Sequence, residues 1–293
     1  MTDNVQVSVL ICTRNRAEEL QVCLAALLPR VQDFSDVEVV VVDNGSTDDT
    51  KEIVDAIGNY PVRYIVEPIA GLCQARNRGR LEARGSVLAY IDDDVIVGDE
   101  WIRRIRQHFV EKKSDCLGGR VTATLDGDLP FQMDESMLWF FQATSYGDRP
   151  RELTYPEHPI GCNMAFFTNV FDAVGGFNTA LRLYGDETDF FRRVEVKGFN
   201  VMYDPAIIVD QIIPAERLTK EAIKEKSYNW GLGSATLWRL GNPAAFTRFG
   251  RIIRYSFFIA YLGIAMSVRP TFGRYFTYWY DRGYLAKLLN GSI

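Results

Sequence analysis

With 293 residues, 47% of them hydrophobic and 24% charged, the chain can build a large core, which excludes a disordered polymer. Five cysteines without paired spacing (Cys12, Cys23, Cys73, Cys116, Cys162) exclude a disulfide scaffold, and only two histidines, His108 and His158, argue against zinc. The formal net charge of -5 is unevenly spread: residues 248–293 hold seven basic residues against one acid, Asp281, so a basic tail follows an acidic body.

Val7-Ser-Val-Leu-Ile-Cys12 is an apolar run of strand length, reached with no signal peptide before it, so a cytosolic active site is expected. The polar run Thr13-Arg14-Asn15-Arg16 follows, then a helix over about Glu18 to Leu28. Val37-Glu-Val-Val-Val-Val42 reads as a strand buried on both faces of a parallel sheet. It ends in Asp43-Asn44-Gly45-Ser46-Thr47-Asp48, a turn that supplies caps for a helix through Ile57. A strand from Val62 to Val66 and a helix from about Leu72 to Ala83 lead to Ser86-Val-Leu-Ala-Tyr-Ile, which stops at Asp92-Asp93-Asp94. This alternation predicts an α/β doubly wound, mostly parallel sheet flanked by helices. Ligands bind such sheets beyond the carboxyl ends of the strands, where Thr13, Asp43 and Asp92 to Asp94 should converge. No Gly-x-Gly-x-x-Gly follows the first strand, which removes support for a dinucleotide-binding Rossmann domain.

Three like charges at the end of a buried strand repel one another and lose hydration, so a bound cation, a set of donors or full exposure must offset them. Helix capping is the plainer reading, but the next helix starts near Glu100-Trp101 with Asp99 placed as its N-cap. A magnesium or manganese ion on oxygen ligands is the leading expectation. Alternation at the strand end turns Asp92 and Asp94 one way and Asp93 the other.

After the helix ending near Val110 the pattern becomes irregular. Val121 to Thr124 reads as a strand, and 127–159 as a loop-rich stretch. Its aromatics between Phe131 and Tyr155 suit either an acceptor platform or a small second core. Gly161-Cys-Asn163-Met164, a short helix to Val174, and Gly175-Gly176-Phe177 precede a second acidic knot, Gly185-Asp186-Glu187-Thr188-Asp189. Acids in a first helical turn are favoured by the dipole, the plain alternative for this knot. Val201 to Pro205 and Ile207 to Val209 read as strands, and Thr219 to about Leu240 as a helix. Tyr255 to Val268, flanked by Arg254 and Arg269, is too short for a confident transmembrane helix. With Tyr275-Phe-Thr-Tyr-Trp279-Tyr280 it suits a membrane interface, a core helix or a homodimer contact.

In order along the chain, Cys12 to Arg16, Val42 to Asp48, Ala75-Arg76-Asn77-Arg78-Gly79, Asp92 to Asp94, Gly161 to Met164, Gly175 to Phe177 and Gly185 to Asp189 resemble the motifs of family 2 glycosyltransferases. These are inverting sugar transferases of the GT-A fold, and the resemblance runs from Val7 to about Leu240. It implies a GT-A domain over 1–240, with a nucleotide-binding half to about 115 and an acceptor half to 240. A basic, aromatic helical extension would follow over 241–293. It implies that Thr13, Arg14, Asn15, Asp43, Arg76, Asp92 and Asp93 face the nucleotide. Asp94 would hold Mn2+ or Mg2+, and Asn163, Asp189 and Arg192 would lie on the donor or acceptor side. The family's Gly-Glu-Asp-x-Asp appears with its acids exchanged, which puts Glu187 in the position of the catalytic base and leaves Asp186 as the alternative. Where related members often carry a metal-ligating histidine, the chain has Asp210-Gln211, leaving Gln211 as a weaker ligand.

The implied reaction moves a sugar from a nucleotide sugar, UDP-linked by analogy, to a glycan or lipid-linked acceptor in cell-surface polysaccharide synthesis. The basic tail would meet the cytoplasmic membrane face, and no nucleic-acid-binding fold accompanies it. Two rivals share the same residues. One is a degenerate domain that binds nucleotide without turnover. The other is a haloacid dehalogenase-like phosphatase using Asp92-Asp93-Asp94-Val95, although two or three strand–helix units precede that motif here.

Overall fold

The computed structural model describes residues 6–290 except 59, 61, 134, 182–183, 242–244 and 269–270. Arg269, one expected flank of the apolar tail run, lies outside the described residues. The chain divides into two compact units. The first comprises Met1–Thr124, Phe141–Thr179 and Glu187–Ile212, and the second Leu125–Phe140, Ala180–Asp186 and Ile213–Ile293.

The first unit is built on β1 (Val7–Thr13), β2 (Val37–Asp43), β3 (Val62–Val66) and β4 (Val87–Asp92), all parallel, in the order β3-β2-β1-β4. Every residue of β2 is buried, as its valine run requires of a strand covered on both faces. Leu20, Leu24 and Leu27 of α1 (Ala17–Val31) and Trp101, Ile105 and Phe109 of α4 (Trp101–Val110) join these strands in one core. Beyond β4 the sheet continues through β8 (Met164–Phe167), β6 (Cys116–Asp126), β9 (Val201–Pro214) and β5 (Val95–Val97). Pairings β4–β8, β6–β8 and β5–β9 are antiparallel, so the parallel character stops at β4. The segments expected on either side of Pro205 form the single strand β9. Its β7 (Arg151–Leu153) pairing covers Val201 to Tyr203 and its β5 pairing Val209 to Gln211, so Pro205 falls between these two pairings.

Asp99 does not cap α4. It pairs with Arg30 at 2.6 Å, and Glu100 occupies the N-cap without a side-chain hydrogen bond. The cap expected from the Asp43 to Asp48 turn serves two helices instead of one. Asp48 accepts from the Ala17 amide at the start of α1 (3.0 Å) and from Thr50 at the start of α2 (Thr50–Asp55).

The second unit rests on α7 (Lys220–Gly241) and α9 (Phe272–Leu289), with α8 (Ala245–Val268) against α9. A Cβ on Gly231 would collide with the Tyr280 carbonyl, and one on Gly283 with the Tyr228 carbonyl. Two glycines therefore let the α7 and α9 backbones touch. Phe140, Trp230, Phe272 and Phe276 form an aromatic cluster around this crossing. Phe140 is fully buried, so this part of the aromatic stretch is core, while Trp139 keeps 42% exposure. No described helix is long and apolar enough to cross a membrane.

Candidate active site

The order β3-β2-β1-β4 places a topological switch between β1 and β4, because the chain leaves β1 toward β2 and β3 before returning to β4 on its other side. Ligands of open α/β sheets bind at such a point. The register sets the strand ends level: Thr13 lies opposite Asp43, and Cys12 opposite Asp92. The expected convergence of Thr13, Asp43 and the aspartates is thus a product of strand pairing.

The three aspartates are held by donors. Arg76 reaches Asp92 at 3.4 Å, and Thr13 donates to Asp93 at 2.7 Å. Arg16 forks between Asp93 (2.5 Å) and Asp94 (2.9 Å). Asp93 does not turn away from its neighbours as alternation predicts: it is 2% exposed and shares Arg16 with Asp94, because the chain turns out of the strand after Asp92 and alternation ends. Burial, opposed by Arg16 and helped by Asp94, pushes its carboxyl up to about 7. Burial works against the Arg16 charge, yet Asp93 and Asp94 hold its pKa above the ordinary value. Arg16 stands in the first motif, but a basic residue after a strand gives no sign in sequence that it will fold back onto acids 77 and 78 positions away.

Two guanidiniums, Arg16 and Arg76, thus reach the three carboxyl groups. Gln211 lies opposite Val95 and points its amide Nε2 at both oxygens of Asp94 (3.3 and 3.4 Å), leaving its buried Oε1 without a hydrogen-bond partner. Turning that amide over would aim an orphaned oxygen and a carboxylate at the same point. Asp94 and Gln211 Oε1 thus fit a hard cation whose shell would need further oxygen ligands from outside this pair. Among the described residues no group of three His, Cys, Asp or Glu side chains could hold a metal alone.

On the β2 side, Asp43 accepts from the Ser46 amide (2.8 Å) and the Tyr64 hydroxyl, and burial together with Asp43 raises the pKa of that phenol. Asn15, at φ 52°, accepts from the Thr47 amide (2.7 Å), and its own amide donates to Ser46. It therefore ties the loop after β1 to the loop after β2. Arg14 is exposed. Arg76, on α3 (Leu72–Glu82), is 3% exposed, and a Cβ at Gly161 would strike its guanidinium. The Gly161 motif clears room for Arg76. Asn77 exchanges two 2.9 Å hydrogen bonds with the backbone of Phe177, which links the third motif to Gly175-Gly176-Phe177.

The second acidic knot opens α6 (Asp186–Val196). Asp186 is buried, while Glu187 is half-buried. His158, absent from the sequence expectations, bonds Thr188 at 3.0 Å and stacks on Phe191, so it sits one residue from Glu187. Two expected ligand-binding residues make scaffold contacts. Asp189 pairs with Arg192 (3.2 Å) and Arg193 (2.9 Å), and Arg193 donates to the carbonyls of Val174 and Gly176. Asn163, 1% exposed, donates to the Arg120 and Ile207 carbonyls and accepts from Trp101. With both ends of its amide committed, it joins β6 to β9. Arg192 keeps 44% side-chain exposure beside Asp189.

An α/β sheet with an acid-bearing switch point and flanking helices is the architecture of GT-A nucleotide-sugar transferases. A profile described as Glycosyl transferase family 2 matches residues 8–175, more than half of the chain, and the chain belongs to that family. It is 29% identical to glycosyltransferase AglE of Haloferax volcanii over 239 residues, 80% of this chain and 74% of that one. It is 26% identical to the glucosyl-dolichyl phosphate glucuronosyltransferase of the same organism over 191 residues, 62% of this chain and 59% of that one. Among solved structures, S. aureus TarS 1-349 in complex with UDP-GlcNAc superposes with a TM-score of 0.59 at 18% identity, covering 77% of this chain and 66% of that one. GalNAc-T7 with UDP, GalNAc and Mn2+ gives 0.58 at 18% identity, covering 78% and 48%. The phosphatase alternative falls with the family assignment.

Proposed function

We propose that the chain transfers a sugar from a UDP-sugar to a lipid-linked or glycan acceptor, with inversion, at the β1/β4 switch point. The observation that carries the reading is the level set of strand ends that brings Thr13, Asp43 and Asp92 to Asp94 to the same edge of the sheet, in a member of family 2. Supporting it, both structural relatives named above hold a uridine nucleotide, and one curated relative is named for a dolichyl phosphate substrate.

In this mechanism Asp43, Thr13 and Arg14 face the base, and Arg76 and Asp92 the ribose and diphosphate. Mn2+ or Mg2+ bound by Asp94 and Gln211 Oε1 would neutralise charge on the departing diphosphate. Arg16 holds Asp93 and Asp94 in place before the donor arrives. The half-buried Glu187 takes the proton of the acceptor hydroxyl as its oxygen bonds to the anomeric carbon and the bond to diphosphate breaks. The buried Asp186 is the second candidate for that proton. The basic tail supports a reaction at the cytoplasmic face of a membrane, since anionic lipid attracts basic residues.

The test is a panel of nucleotide sugars with manganese or magnesium, read by nucleoside diphosphate release, on the parent, Glu187→Gln and Asp186→Asn. General-base loss lowers turnover by roughly 10²–10⁴-fold. Full turnover in both variants refutes the mechanism. Metal-dependent UDP binding with no turnover on any donor would instead support the non-catalytic reading.

A further inference from the structure

The second unit contains a buried acid that its own fold leaves unanswered. Asp281 on α9 is 3% exposed, its Oδ2 has no hydrogen-bond partner, and no ion pair joins it to a basic residue among the described residues. It lines a cavity of about 480 Å³ together with Arg254, Tyr255, Phe257, Phe258 and Tyr261 of α8. A buried carboxylate oxygen without a hydrogen-bond partner is costly, so its presence calls for a donor cation within reach, which no described residue supplies. Aromatic rings beside such a carboxylate are the surroundings an ammonium group prefers. Arg254, exposed at the same cavity, would repel a lone cation, so the ligand must carry an anion as well. An orphaned acceptor oxygen asks for an N–H donor, which a primary ammonium has and a quaternary one lacks. The same helix shows solvent Phe257 at 76%, Tyr261 at 62% and Ile264 at 70% exposure, spaced four and three residues apart on one face. That stripe supplies an apolar neighbour for acyl chains beside the polar cavity.

We propose that this cavity binds the phosphoethanolamine headgroup of a membrane lipid, with Asp281 and the rings taking the ammonium and Arg254 the phosphate. The site deepens the reading above that the basic tail meets a membrane, and rests on it. It gives the tail a preference for headgroup chemistry in addition to charge.

The test is sedimentation of the full chain with vesicles of phosphatidylglycerol mixed with either phosphatidylethanolamine or phosphatidylcholine at equal net charge. Binding to the ethanolamine vesicles is expected to be about tenfold tighter, as a charge-assisted hydrogen bond and ring contact warrant. Asp281→Asn and Phe258→Ala should each erase the difference while UDP titration shows the first unit intact. Equal binding to both vesicles, unchanged in Asp281→Asn, overturns the headgroup site and leaves the membrane reading standing. No binding to either vesicle overturns both. Binding of soluble O-phosphoethanolamine without vesicle binding overturns the lipid source. A concentration-dependent dimer broken by Phe257→Glu, with no vesicle preference, assigns this face to a second copy and overturns the proposal.

Discussion

Replacing Arg16 with Met isolates what one guanidinium does for the site. The change leaves Asp93 and Asp94, whose side chains are each 3% exposed, facing each other without their shared partner. Removing one member of a buried ion pair costs about 3–5 kcal/mol, and the 23% exposure of the Arg16 side chain favours the low end, about 3 kcal/mol. For a protein of this size that lowers the melting temperature by roughly 6–12 °C. Arg16→Lys keeps the charge but not the fork, so it can satisfy only one carboxylate well and should fall between the two. Calorimetry at pH 8 in chelator gives the comparison. Repeating it with millimolar manganese should return part of the loss, since a dication at Asp94 neutralises the same acids. An Arg16→Met protein melting within a degree of the parent in chelator would refute the view that Arg16 holds the aspartates.

The pH dependence of Asp281 has a definite sign. Burial, opposed only by Arg254, raises its carboxyl to about 7 from 3.8, and Tyr255 and Tyr280 also sense its charge. The folded state thus binds this proton more tightly than the unfolded one, and Asp281 costs stability most fully above pH 7, less as pH falls toward 4. Asp281→Asn should therefore stabilise by a few kcal/mol at pH 8 and by little at pH 4, measured by urea melts; an equal gain at both would contradict this. Gly161→Ala should push Arg76 off Asp92 and weaken UDP binding by calorimetric titration with little change in melting temperature; unchanged affinity would show that Arg76 does not serve the nucleotide. Asn163→Ala removes three hydrogen bonds, two of them buried, and should cost about 2–4 kcal/mol, with donor KM unaltered in the folded fraction.

The parallel strands were legible in the sequence because burial on both faces leaves unbroken apolar runs, and their polar ends pointed to the crevice. Several motif residues also serve the scaffold. Asn15, Asn77 and Asn163 each join segments distant in sequence, and composition carries no record of such a partner, while Asp189 pairs with Arg193 one turn on in its own helix. Asp93 was misread because side-chain alternation holds only while the strand lasts. Asp99 was misread as a cap because any acid before a helix has the composition of one, while Arg30, 69 residues earlier, claims it. Pro205 divided β9 on paper because a proline breaks a strand only where its amide is required.

The level ends of β1, β2 and β4 also limit how such a protein can change over generations. Within Val87 to Asp92, adding or deleting one residue would turn the side chains beyond it to the opposite face, and would bring Ile91 or Asp93, respectively, to the place opposite Cys12. New donor preferences are therefore reached by exchanging side chains at fixed stations, with changes of length confined to the connections between strands.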